Sequence, residues 1–141
     1  GAVKDAEIDL RRALELSPSR LEAHAALAEA YMQTGKEQEA LVEWKAALGS
    51  GHGEAFWYFR YGKLLFDNRQ LAEAKPELER ALEKAPKENP PPWIWEAHRT
   101  LALCLGRTRE AIPHWEAFIE HAEKNSPYMT EALRELKAIV K

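Results

Sequence analysis

The sequence holds a single cysteine, two methionines and no long apolar run. One cysteine cannot close an internal disulfide, which excludes a small secreted fold stapled by bridges. No stretch approaches the roughly 18 apolar residues that a membrane span needs, and the first residues carry no signal-peptide pattern. Neither charge sign dominates: 20 Lys and Arg stand interspersed against 23 Asp and Glu. That balance gives no basic footprint for nucleic acid. There is no glycine-rich phosphate loop, no HExxH pair and no GxSxG elbow. No segment sustains a period-2 alternation, so no strands are expected. What is present is 141 residues, 45% apolar, enough for a core. Alanine, leucine, glutamate, lysine and arginine, all strong helix formers, are abundant.

The chain repeats itself. Ala6, Ala40 and Ala74 lie 34 residues apart, as do Leu10, Trp44 and Leu78, and Ala13, Ala47 and Ala81. Pro18, His52 and Pro86 keep the same step, as do Gly1 and Gly35. An acid (Asp5, Glu39, Glu73) precedes each member of the first column. Several columns in one register mark an internal repeat, which has to be recognised before any single helix is assigned. The register then slips. Glu110-Ala111, Pro113 and Trp115 answer Glu73-Ala74, Pro76 and Leu78 at a step of 37. Glu22-Ala23-His24 and Leu27-Ala28 recur as Glu96-Ala97-His98 and Leu101-Ala102 at a step of 74. Six residues inserted around Pro90-Pro91-Pro92 and three deleted before Gly106 account for both steps. The alternative pairing of Trp95 with His24 is disfavoured, because it sets Arg99 where Ala28 and Gly62 stand.

Apolar spacing of 3 to 4 makes the units helical. Helices are expected over 2–16, 21–33, 37–48, 55–66 and 71–85, and from Trp93 until Gly106. A long helix is expected from Thr108 to Lys124. Ser126-Pro127 should cap and open a last helix that runs to Val140. Pro76 and Pro113, which share a column, should each bend their helix.

A 34-residue helix–turn–helix unit resembles the tetratricopeptide repeat, and the resemblance spans essentially the whole chain. Ala28, Gly62 and Ala102 match the small column where the two helices of a unit cross. Leu27, Tyr61 and Leu101 precede it, and Tyr31, Leu65 and Leu105 follow. Ala40-Trp44-Ala47 and Ala74-Leu78-Ala81 match the small–large–small pattern of the second helix. Gly1, Gly35 and Gly106 match the turn; Pro18 and Pro86 match the closing proline. Departures are His52 for that proline, Arg69 for the turn glycine, and Phe118 at a usually small position.

The resemblance implies an all-α, right-handed superhelix of about eight antiparallel helices, whose concave side is lined by each unit's first helix. It divides one solenoid domain into a half repeat over 1–20 and repeats over 21–54 and 55–88. An irregular repeat with the proline insert covers 89–126, and a capping helix 127–141. The register opens mid-repeat, so the natural protein is expected to continue before Gly1 and to end or change domain soon after Lys141. In the capping helix, Met129, Leu133, Leu136 and Val140 form an apolar stripe. Glu131, Arg134, Glu135 and Lys141 would stay on the wet side.

Phe56-Trp57-Tyr58-Phe59-Arg60-Tyr61 cannot all share one helix face. By column, Tyr58 and Tyr61 pack inward. Phe56, Phe59, Arg60, Lys63 and Phe66 form a stripe along the family's concave groove. Either these aromatics anchor a partner there, or Phe59 and Phe66 merely pack against neighbouring repeats. Glu22, Glu29, Met32 and Gln33 flank the stripe on one side, and Glu96, Arg99, Thr100 and Leu103 on the other. The subfamily clamp for a C-terminal carboxylate is rejected, since Ala26 replaces its Asn and Phe56 a Lys. Trp93 and Trp95 flank the proline insert, as a second contact patch or as a plug. His24 and His98 hold equivalent packing positions. His114 and His121 share a helix face without a second ligand pair. Cys104 reads as a buried thiol.

No catalytic residue, metal or cofactor is therefore assigned. The leading reading is a non-catalytic scaffold that binds a partner protein or peptide in the concave groove, without nucleic acid or membrane insertion. The alternatives are self-assembly through the open N-terminal end, or a docking arm of a larger enzyme. The single cysteine and near-neutral charge fit the cytoplasm, with the periplasm as the alternative. The Ala/Arg-rich style looks like bacterial scaffolds of pilus, motility or secretion machines.

Overall fold

The computed structural model describes residues 1–141. It contains eight α-helices and no strand: α1 (Ala2–Leu16), α2 (Leu21–Gln33), α3 (Glu37–Leu48), α4 (Ala55–Asp67), α5 (Leu71–Lys84), α6 (Trp93–Leu105), α7 (Ile112–His121) and α8 (Met129–Val140). A single 3₁₀ turn, Arg109–Ala111, precedes α7. Each helix packs on its sequence neighbours, and α4 also touches α6. The result is the expected all-α solenoid.

The repeated columns explain the packing. Ala28, Ala40, Ala47, Ala74 and Ala81 have no exposed surface, and Trp44 and Leu78 fill the holes those small residues leave. Trp44 donates its indole N–H to the Met32 sulfur at 3.3 Å. The closest approach lies between α4 and α5. A Cβ on Gly62 would stand 2.8 Å from Leu78 Cγ and 3.3 Å from the Leu78 backbone nitrogen. Alanine serves the same column in α2, so the α4–α5 crossing is the tighter one.

The turns keep the register as well. The Lys36 N–H reaches the Tyr31 carbonyl at 2.8 Å, and 34 residues later the Gln70 N–H reaches Leu65 at 2.9 Å. Both turns need a left-handed residue. Gly35 supplies φ +77°, while Arg69 is held at φ +63° without a glycine's freedom.

Beyond α6 the structure departs from the expected helices. The segment 108–124 is not one helix. Pro113 has no N–H to give the Arg109 carbonyl, so the chain makes a 3₁₀ turn and α7 begins with the proline in its first turn. It stops at His121, where Ala122 turns extended. The last helix starts at Met129 rather than at the Ser126-Pro127 pair. Ser126 Oγ accepts from the Tyr128 N–H at 3.3 Å and its carbonyl from Met129 at 3.1 Å, forming a turn ahead of the helix.

The polarity of α8 is also corrected. Ala132, Leu136 and Ile139 face the core, whereas Leu133 and Val140 are 52% and 62% exposed. Glu131 and Glu135 turn inward to meet Arg99 and Arg107, each at 2.9 Å. The helix is rotated because its acids follow the arginines of α6 and of the turn after it.

Candidate protein-binding groove

The first helices of the units, α2, α4 and α6, carry the residues expected along the concave side. Phe56, at the start of α4, is 42% exposed. One turn later Arg60 holds both oxygens of Glu29 on α2, through Nε at 2.7 Å and Nη2 at 2.9 Å. This bidentate bond pushes the already basic guanidinium further up. The guanidinium carbon also lies 6.0 Å from the Phe56 ring centre. Lys63 sits between Asp67 at 3.7 Å and Glu96 of α6 at 3.6 Å. Phe56, Arg60 and Lys63 thus form one half-open stripe, with ion pairs reaching both flanking helices.

Phe59 follows the second of the two expectations and does not stand open in the stripe. It is only 3% exposed, and its ring stacks on Trp93 at 5.2 Å. Phe66 is half-buried against the main core. Both therefore pack between repeats. Gln33 is exposed but lines the face toward α1. Leu103 is half-buried on the C-terminal cluster, and Thr100 is buried with its hydroxyl on the Glu96 carbonyl at 2.8 Å. Arg99 pairs with Glu131 and covers the Tyr128 ring at 3.8 Å.

The two tryptophans beside the prolines do not form one patch. Two residues apart on α6, they point to different sides. Trp93 joins Phe56 and Phe59 in the groove, while Trp95 stacks on His121 at 4.1 Å. No periodic signal placed Trp93 in the groove, because the proline insert breaks the register just before it. Trp57 helps floor a depression of about 350 Å³ between α2 and α4. Glu22, Ala25, Ala26 and Trp44 line it together with Phe56 and the Glu29–Arg60 pair.

The histidines act as polar ties between helices. His24 Nδ1 meets Glu43 of α3 at 2.6 Å and Nε2 meets the Pro18 carbonyl at 2.7 Å. Its column partner His98 meets a histidine instead, Nδ1 to Nδ1 of His114 at 2.9 Å. Burial, with His114, His121 and Lys87 nearby, pushes His98 down to about 4, and burial lowers His114 too. Burial raises the Cys104 thiol to about 11, which favours the protonated thiol over the thiolate. No group of three or more His, Cys, Asp or Glu is arranged around a metal position. No helix is long and apolar enough to cross a membrane.

Two tetratricopeptide repeat models match this chain, over residues 2–55 and 58–88. The type IV pilus assembly protein PilF of Pseudomonas aeruginosa is 35% identical over 78 residues, which is 55% of this chain. The chain spans 31% of the length of that relative. YrrB, described as a TPR protein with an unusual peptide-binding site, superposes with a TM-score of 0.80 at 25% identity, over 98% of this chain and 68% of that one. MamA superposes with a TM-score of 0.72 at 19% identity, over 98% of this chain and 86% of that one, a likeness of fold. The fold is consistent with a protein–protein interaction scaffold.

Proposed function

Because the chain belongs to the tetratricopeptide repeat family, we propose that it is a scaffold binding a segment of a partner protein in its concave groove, without catalysis. The observation that carries this reading is the α4 stripe. Phe56 stands exposed on a helix whose next turns, Arg60 and Lys63, are pinned to α2 and α6. A half-exposed aromatic on a rigid, preorganised support is the kind of group that anchors binding. The described peptide-binding site of YrrB supports the same use of the fold. The match to PilF supports a place in a bacterial envelope assembly, such as a pilus, motility or secretion machine.

The test is a double substitution, Phe56→Ala with Arg60→Glu, assayed against proteins retained by the unaltered domain. Retention should fall at least about tenfold with helicity unchanged. Unchanged retention by a folded double variant would remove the groove from the reading.

Self-association is the second reading, and the face of α1 favours it. Ala40 and Ala74 are fully buried, but their column partner Ala6 is exposed. With Val3, Leu10, Ala26 and Ala30 it lines an apolar groove of about 500 Å³. Light scattering across protein concentration separates the two readings: a rising mass that Ala6→Glu abolishes favours self-association.

A further inference from the structure

From the charge pattern around the α2–α4 depression, we infer the class of segment it takes: one presenting an apolar side chain and, within about a helical turn of it, a lysine or arginine. This rests on the groove reading above and adds the partner's chemistry to it. The depression has an apolar floor of Ala25, Ala26 and Trp57, with Phe56 at its edge. Such a hollow suits one apolar anchor.

The charges around it are not equally available. Arg60 already gives two donors to Glu29, at 2.7 and 2.9 Å. A ligand carboxylate would have to displace a preformed bidentate pair to use it. Lys63 stands between two carboxylates, Asp67 and Glu96. Both groove cations are therefore engaged within the protein. Glu22, on the rim of the depression, is exposed and makes no ion pair. Glu96, on α6 beyond the depression itself, is 46% exposed, and only Lys63 reaches it, at 3.6 Å. The charges left open to a ligand are negative. A basic side chain on the ligand meets complementary potential, and an acidic one meets like charge, which selects against it and slows its encounter.

The experiment is selection of a random 12-residue peptide display library on the purified domain, followed by binding of the enriched peptides to variants. Enriched peptides should pair an apolar residue with Lys or Arg. Phe56→Ala should weaken them at least about tenfold. Glu22→Lys should weaken them several-fold, and Glu22→Gln less, with a loss that shrinks as salt rises. Glu22 and Phe56 are solvent-exposed, so both variants keep the core. Acidic enriched peptides that still need Phe56 would overturn the inferred ligand class and leave the groove standing. Enriched peptides indifferent to Phe56→Ala, or no enrichment at all, would overturn the groove reading together with the ligand class.

Discussion

Between Leu21 and Lys84 the helices meet through alanines and large apolar side chains, joined in one continuous cluster that runs from α2 to α6. Beyond Trp93 a smaller cluster, centred on Trp115 and Phe118, takes over. There the contacts lean on polar pairs: Arg99 with Glu131, Arg107 with Glu135, and His98 with His114. The difference follows from the register. Where 34 residues separate every column, small meets large at each crossing, and polar pairs (His24 with Glu43, Arg60 with Glu29, the buried Glu7 with Lys36) supplement that packing. Beyond the proline insert the 34-residue step is lost, the apolar cluster is smaller, and ion pairs take a larger share of the contacts. Such pairs contribute little per contact and are sensitive to pH and salt. The irregular end should therefore be the weaker one.

The largest test of that comparison replaces the equivalent tryptophans. Trp44→Ala and Trp115→Ala should each cost about 3–5 kcal/mol. Hydrogen exchange should show faster opening from α2 through α5 in the first variant. In the second it should be confined to the C-terminal part of α6 and to α7 and α8. If Trp115→Ala loosens α2 equally, the two clusters form one cooperative unit and the comparison breaks.

Gly62→Ala probes the regular part. Alanine is the better helix former by about 1 kcal/mol, yet its Cβ would fall 2.8 Å from Leu78 Cγ. Overpacking should win, with a net loss of about 1–2 kcal/mol in denaturant melts. A stabilised variant would show that α4 and α5 can separate freely.

Acid probes the irregular part. The folded pKa of His98 lies below its ordinary value, at about 4. Its contribution to stability is therefore complete above pH about 6.5 and is lost as pH falls toward 4. Discounted for solvent screening, the loss should be about 1 kcal/mol. Melts at pH 7 and pH 5 should differ more in the unaltered protein than in His98→Gln, whose side chain does not titrate. Equal slopes in the two would remove the histidine pair from the account.

The smallest effect is a gain. Arg69 holds a left-handed turn that Gly35 makes without strain. Arg69→Gly should stabilise by about 0.5–1 kcal/mol, and Gly35→Arg should cost a similar amount. Opposite shifts in thermal melts would show that the two turns are interchangeable. No shift at Arg69 would mean that its side chain offsets the strain.

The five helices from 2 to 84 are legible almost to the residue, because the alanine columns keep a 34-residue step there even where Arg69 replaces a turn glycine. The 3₁₀ turn before α7 is not legible from Pro113 alone. A proline early in a helical pattern reads equally as a bend or as a start. Of the groove, Phe56, Arg60 and Lys63 were legible as a half-open stripe. For Phe59 the pattern allowed either exposure or packing between repeats, and its burial depends on Trp93 arriving from beyond the insert.

The repeat, the helices and the small columns follow from local periodicity and side-chain volume alone. Tertiary packing settles which groove charges are already paired, which face of α8 turns inward, and what Trp93 and Trp95 each dock against. Those depend on distances between side chains about 30 residues apart, across a slip in register that local pattern cannot carry.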